Sequence, residues 1–114
     1  MARPSKVSMD WIQKIRECFD SNSVFYTRHA KLEMEAEEFG RIFDREVFEA
    51  ICNGEVIEEY PDDTPYPSAL IFGRTTTNRP LHLLCAYNKE ENLLIIITVY
   101  QPDPGLWIEY KRRK

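Results

Sequence analysis

Two histidines, an arginine and a tyrosine are the side chains of this sequence that could do acid–base chemistry together. His29 follows Arg28 in the stretch YTRHAKLEM, and His82 lies inside the apolar stretch PLHLLCAYN. Tyr100 ends the apolar stretch LLIIITVY. Such a set can cleave RNA without a metal, because one group can take the proton of a ribose 2′-hydroxyl while another protonates the leaving oxygen. A cation then stabilises the charge on the phosphate.

The apolar pattern predicts the elements that must position these side chains. Helical spacing of apolar residues occurs three times, over residues 11–19, 27–38 and 44–51. Apolar and β-branched runs between turn-forming residues predict four strands, over residues 55–60, 68–74, 81–87 and 93–100. Helices followed by an antiparallel meander predict an α+β domain of two layers.

His29 falls in the first turn of the second predicted helix, directly after Arg28. The positive end of a helix and a neighbouring guanidinium both favour the uncharged form of an imidazole. An uncharged ring in this position could act as a general base near neutral pH. The alternative is a ring that packs at the edge of the apolar stripe formed by Leu32 and Ala36.

Strand alternation puts His82 on the less apolar face of the final predicted hairpin. If Tyr87 pairs with Leu93, His82 lies opposite Thr98 and diagonal to Tyr100. That face then opens on a cleft, while the uniformly apolar face packs on the helices. The alternative is a structural histidine that is hydrogen-bonded to a neighbour in the sheet.

The charge distribution argues against non-specific binding to nucleic acids. The chain has a net charge of -4 and ends in four basic residues, so the rest of it carries about -8. Neutralisation of phosphates dominates non-specific affinity for nucleic acids, and an acidic body opposes it. Any contact with RNA must therefore be local and must use the basic tail and a few well-placed arginines.

The sequence gives no sign of a metal, a cofactor or a membrane segment. Cys18, Cys52 and Cys85 form no CxxC pair, and the two histidines are far apart, so the spacing typical of metal ligands is absent. No apolar stretch approaches the roughly 18 residues that a spanning helix needs. The N-terminus carries no apolar leader. We expect a cytoplasmic domain with buried, reduced thiols.

Four longer stretches together resemble a known family. They are YTRHAKLEM, NGEVIEEYPDDTPYPSALIFG, RPLHLLCAYN and IIITVYQPDPGLWIEYKRRK. The resemblance is to a bacterial family known only as a domain of unknown function, related to the RelE/ParE/BrnT group of toxin-like proteins. It covers residues 24–114 and leaves residues 1–23 as a leading helix or extension. It implies a RelE-like two-layer domain, with N-terminal helices packed on a curved, four-stranded, mostly antiparallel sheet.

The resemblance also implies site residues and partners. It carries catalytic roles onto His29, His82 and Tyr100, and substrate-binding roles onto Arg28, Thr98, Lys111 and Arg112. The implied partner is a cognate antitoxin, in which a CxxC zinc finger is joined to a DNA-binding helix-turn-helix. The implied substrate is mRNA, alone or on the ribosome.

Two functions are consistent with these observations. The first is a toxin that acts as a metal-independent endoribonuclease and cleaves mRNA through attack of the 2′-hydroxyl. It predicts that His29 and His82 converge on one cleft near Tyr100. The second is a non-catalytic, toxin-shaped module that docks a partner protein, for which the two histidines lie in different environments. Both permit a homodimer formed through an exposed edge strand.

Overall fold

The structure is a computed structural model that describes residues 9–114. Its helices are α1 (Trp11–Asp20), α2 (Arg28–Ala36) and α3 (Asp44–Cys52). Its strands are β1 (Val24–Tyr26), β2 (Glu55–Tyr60), β3 (Ser68–Arg74), β4 (Pro80–Asn88), β5 (Leu93–Tyr100), β6 (Trp107–Ile108) and β7 (Arg112–Arg113). The sequence predicts a leading helix or extension over residues 1–23. Its first eight residues lie outside the described residues.

Helices α1 and α2 begin at residues whose side chains cap the first turn. The Asp10 carboxylate accepts a hydrogen bond from the backbone N–H of Gln13 at 3.2 Å, and the Thr27 hydroxyl accepts one from Ala30 at 3.0 Å. Helix α1 buries Trp11 in the same core as the sheet, so this helix packs as part of the domain. No helix within the described part of the chain is long and apolar enough to cross a bilayer.

The main sheet has five strands in the order β1-β5-β4-β3-β2. The α+β class is confirmed, but the prediction of four strands is wrong. Strand β1 adds to the sheet parallel to β5, with Val24 paired to Leu94 and Tyr26 to Ile96. A strand of three residues is too short to show an alternating pattern in the sequence, which is why the prediction missed it.

Helix α2 covers the edge of β5 beyond the end of β1. The Thr27 hydroxyl donates to the carbonyl oxygen of Ile97 at 3.1 Å, and the Glu33 carboxylate accepts from the N–H of Val99 at 3.0 Å. Side chains of the helix therefore replace a neighbouring strand. This arrangement protects backbone groups that would otherwise invite pairing with another chain.

A β-bulge in β5 sets the register of the final hairpin. His82 pairs with Tyr100 and Leu84 with Thr98, while Cys85 pairs with Ile96, so Ile97 is the extra residue. The predicted pairing of Tyr87 with Leu93, and with it His82 opposite Thr98, is wrong. One inserted residue moves every side chain of the strand beyond it to the opposite face of the sheet.

The core lies between the helices and one face of the sheet. Helix α3 rests directly on β3, because a Cβ atom at Gly73 would lie 1.9 Å from the carbonyl oxygen of Ala50. Such an approach is open only to glycine. The opposite face of the sheet carries His82 and is shaped by the C-terminal segment, so it is the surface on which a site can form.

Candidate functional site

The sheet face opposite the helices is built from cross-strand rows of side chains. One row runs from Phe72 through His82 to Tyr100. The next row runs from Leu70 through Leu84 to Thr98. The small hairpin formed by β6 and β7 covers the first row through Trp107 and Tyr110, whose rings lie against those of His82 and Phe72. The second row is the floor of an open cleft.

His82 is fully buried, with 0% of its surface exposed, and both ring nitrogens have partners. Nδ1 lies 3.0 Å from the hydroxyl of Tyr100, and Nε2 lies 2.6 Å from the carbonyl oxygen of Tyr110. A carbonyl can only accept, so Nε2 carries the proton. In the neutral ring Nδ1 is then an acceptor, and the Tyr100 hydroxyl donates to it.

Burial fixes the protonation states of this pair. Burial lowers the pKa of His82, although the hydrogen bond to the Tyr110 carbonyl and the negative charge of Glu58 act in the opposite direction. Burial also raises the pKa of Tyr100 to about 12. At neutral pH the imidazole of His82 is therefore uncharged, and it accepts a hydrogen bond from the protonated phenol of Tyr100.

We expect acid to destabilise the fold through His82. Because the folded-state pKa lies below the ordinary 6.5, the unfolded chain binds a proton that the folded chain refuses. The free energy of unfolding therefore decreases as the pH falls below about 6.5, by up to about 1.4 kcal/mol per pH unit until the folded pKa is reached. Urea unfolding between pH 7.5 and 5 measures this slope.

The matched variant for this measurement is His82→Gln, which keeps a polar side chain and removes the titration. Its stability at pH 7.5 is lower, but its pH dependence below 6.5 is flatter than that of the wild type. Equal slopes for the two proteins would show that His82 does not titrate in this way. Carboxylates and His29 are present in both proteins, so their contributions cancel.

A cleft of about 400 Å³ lies beside the His82–Tyr100 pair. Leu70, Leu84 and Thr98 form its floor, and its polar walls come from Tyr60, Asp63, Tyr100 and Arg113. Arg113 gives the cleft a guanidinium and the two tyrosines give it phenolic oxygens, while its floor is mostly apolar. This combination suits a ligand that has a polar, anionic group and a flat or apolar body.

Arg113 is held in place by Glu58 and Trp107. Its Nε and Nη2 groups donate to the two oxygens of the Glu58 carboxylate at 2.9 and 3.1 Å. Its guanidinium stands 4.7 Å from the centre of the Trp107 ring. The hydroxyl of Tyr60 also donates to Glu58. These donors, above all Arg113, lower the pKa of the Glu58 carboxyl, so it remains an anion.

The structure brings together three of the predicted site residues. Thr98 and Tyr100 line the cleft, and His82 stands behind Tyr100. Their predicted roles in catalysis and substrate binding stay predictions, but their proximity is a structural fact. It arises from the strand pairing of β4 with β5.

The other predicted site residues lie elsewhere. His29 is 65% exposed on α2, and its Nε2 lies 3.4 Å from the Glu33 carboxylate. Arg28 is exposed beside it, Lys111 pairs with Glu55 at 3.1 Å, and Arg112 is exposed on β7. Within residues 9–114 none of these four lines the cleft beside Tyr100, so the structure does not show the predicted convergence of His29 and His82 on one cleft.

Sequence reasoning missed Tyr60 and Arg113 as members of the cleft. Both lie in stretches that stood out in the sequence, the acidic EEYPDD and the basic tail. The basic tail alone does not say which cation turns toward the sheet, because the two residues of β7 point to opposite sides. Knowledge of the β6–β7 pairing would have been needed to choose Arg113.

The described part of the chain contains no group of three His, Cys, Asp or Glu side chains that could hold a metal ion. Beside the hydrogen-bonded pair of His82 and Tyr100, the cleft contains the Tyr60 hydroxyl, the Asp63 carboxylate and the Arg113 guanidinium.

Comparison with protein families matches residues 26–101 to a domain of unknown function, DUF4258. Comparisons with curated proteins and with solved structures gave no match. The matched segment includes His29, His82, Thr98 and Tyr100, and ends before Arg113. Because the match covers more than half of the chain, this chain belongs to the DUF4258 family.

Proposed function

We propose that this protein is a toxin of the RelE-like group and a metal-independent endoribonuclease that cleaves mRNA through attack of the ribose 2′-hydroxyl. The observation that carries the proposal is the Tyr100 hydroxyl. It lines a cleft shared with Arg113, and it is hydrogen-bonded to the buried His82 at 3.0 Å. A phenol, an imidazole and a guanidinium are sufficient for this reaction.

The pair of Tyr100 and His82 can accept the proton of the attacking hydroxyl. Tyr100 donates its own proton to Nδ1 of His82, so the lone pairs of its oxygen remain for the cleft. As the 2′-oxygen attacks phosphorus, its proton passes to the Tyr100 oxygen and the phenolic proton passes to Nδ1. The hydrogen bond from Nε2 to the Tyr110 carbonyl favours the imidazolium that results.

Arg113 provides the positive charge for the phosphate. Before substrate binds, its Nε and Nη2 groups donate to Glu58, and the N–H groups of Nη1 can make the first contact with a phosphate oxygen. The 5′-oxygen leaves with a proton from a water molecule in the open cleft, and the hydroxide that remains takes the stored proton back from His82 through Tyr100, which restores the pair. The products are a 2′,3′-cyclic phosphate and a 5′-hydroxyl.

The net negative charge of the chain weakens its long-range attraction to an RNA substrate. With a net charge of -4, the chain has little general attraction for nucleic acid, so binding depends on contacts within the cleft. We propose that the protein acts in the cytoplasm on mRNA that the ribosome holds, and that Arg28, His29, Lys111 and Arg112, which do not line the cleft, make no contact with the reacting phosphate.

A second candidate function, docking of a partner protein, is favoured by exposed apolar side chains. Phe39 is 53% exposed and Phe43 50%, and both flank the connection between α2 and α3. Leu32 on α2 is 53% exposed. Exposed aromatic residues of this size commonly mark binding surfaces. The proposed occupant is a cognate antitoxin with a zinc finger and a helix-turn-helix, and a homodimer through an outer strand is a further prediction.

The test is incubation of the purified protein with RNA in the presence of EDTA, with and without ribosomes. We expect fragments that end in a 2′,3′-cyclic phosphate, and growth arrest when the protein is overproduced. Absence of cleavage in both conditions, together with harmless overproduction, would overturn the nuclease. Capture of the product of the neighbouring gene, lost in Phe43→Ser, would then support docking alone.

A further inference from the structure

We propose that the cleft contains an oxyanion-binding site, built by Arg113 and Tyr60, that the protein's own Glu58 carboxylate occupies when no substrate is bound. The ligand it would take is a phosphate group. The interpretation of the Glu58–Arg113 contact as autoinhibitory rests on the proposed nuclease function, in which the phosphate of RNA competes with Glu58 for Arg113.

The geometry around Glu58 is that of a bound anion. Two parallel N–H groups of Arg113 donate to its two oxygens at 2.9 and 3.1 Å, and the hydroxyl of Tyr60 is a third donor. The planar fork of arginine fits a phosphate in the same bidentate way as it fits a carboxylate. The donors around Glu58 are thus the set that a phosphate needs.

The site is accessible from the cleft. Tyr60 and Arg113 both line it, and the Arg113 side chain is 62% exposed. The Glu58 side chain is 25% exposed, so it is partly hydrated where it meets the guanidinium. Ion pairs with this degree of exposure are weak, which allows an external anion to replace the carboxylate.

Release of Glu58 would also change the charge of the cleft. With the carboxylate in place the guanidinium is neutralised, and Asp63 on the same wall leaves the cleft without net positive charge. Such a cleft repels anions at a distance. Displacement of Glu58, by substrate or by a partner, leaves Arg113 balanced only by Asp63 and frees its Nε and Nη2 groups for a phosphate.

A neighbouring ion pair provides a matched control. Glu55 also lies on β2 and pairs with Lys111 of the same C-terminal hairpin at 3.1 Å, with both side chains about half exposed. Neither residue lines the cleft. Glu55→Gln therefore removes the same charge from the same strand without touching the proposed anion site.

The experiment is titration of the full chain with inorganic phosphate, followed by NMR shifts of the Arg113 side chain. Glu58→Gln is expected to bind phosphate roughly fivefold more tightly than wild type, the upper effect of an exposed ion pair, while Glu55→Gln stays at the wild-type affinity. In RNA cleavage, Glu58→Gln lowers KM and leaves kcat nearly unchanged.

The outcomes separate this inference from the nuclease proposal. Equal or weaker phosphate binding by Glu58→Gln would overturn the inference, because it would show that Glu58 only positions Arg113. Equal gains in both variants would also overturn it, since the effect would be general charge. Tighter phosphate binding without any RNA cleavage would uphold the anion site and overturn the nuclease.

Discussion

Replacement of Tyr100 by phenylalanine is expected to lower the single-turnover rate constant of RNA cleavage by about 100- to 1,000-fold. The change removes one oxygen and leaves the ring that packs beside His82. Without the phenol, the 2′-hydroxyl has no direct route to Nδ1 of His82, which lies behind Tyr100. Loss of a positioned acid–base group typically costs this much. Single-turnover cleavage of a short RNA at saturating enzyme measures the chemical step.

Tyr87→Phe is the matched control for this measurement. Tyr87 is also buried in β4, but its hydroxyl donates to the side chain of Asn92 and is remote from the cleft. Both variants lose one phenolic hydrogen bond, worth about 1 kcal/mol of stability. Only Tyr100→Phe should lose activity. Wild-type cleavage by Tyr100→Phe, or an equal loss in Tyr87→Phe, would contradict the assigned role.

The closeness of His82 and Tyr100 could be predicted from the sequence, but their register could not. The observed pairing of Asn88 with Leu93 would by itself put the two side chains on opposite faces, and the bulge at Ile97 restores a shared face. The bulge at Ile97 lies within a run of three isoleucines, so no change of polarity marks where the extra residue sits. The predicted diagonal pair is consequently a directly opposed pair, which brings the phenol within hydrogen-bond reach of the ring.

The C-terminal part of the site depends on contacts that leave no local signal. The β6–β7 turn puts Glu109 at φ 54° and Tyr110 at φ 64°, a backbone region that normally favours glycine or asparagine. Neither residue type predicts a hairpin. The conformation is stabilised by the hydrogen bond between the Tyr110 carbonyl and His82, which lies 28 residues earlier in the chain. Arg113 reaches the cleft only because this turn forms.

The largest expected loss of stability follows from Arg79→Ala. Arg79 lies before β4, and its side chain is only 15% exposed. Its Nε donates to Gln101 at 2.7 Å, and its Nη1 donates to the Arg41 carbonyl at 3.0 Å and to Glu46 at 3.2 Å. Its Nη2 donates to the Gly40 carbonyl. One guanidinium thus joins the α2–α3 connection, α3 and the end of β5.

Alanine at this position leaves the Glu46 carboxylate, 13% exposed, without its cation, and leaves the carbonyl groups of Gly40 and Arg41 without their donor. Removal of one partner of a buried ion pair typically costs about 3–5 kcal/mol. For a domain of this size the melting temperature would fall by roughly 10–20 °C. Thermal unfolding followed by circular dichroism measures the loss.

Arg45→Ala is the control that separates burial from charge. Arg45 also pairs with a glutamate of α3, Glu49, at 3.5 Å, but its side chain is 75% exposed. We expect it to cost at most about 0.5 kcal/mol, because water solvates the exposed Arg45 and the Glu49 carboxylate keeps its hydrogen bonds from Thr76. Similar losses for both variants would mean that Arg79 acts as a surface charge and that the α2–α3 connection is held by other contacts. A loss confined to Arg79→Ala instead shows that a single desolvated guanidinium fixes the helical layer to the end of the strand that presents Tyr100.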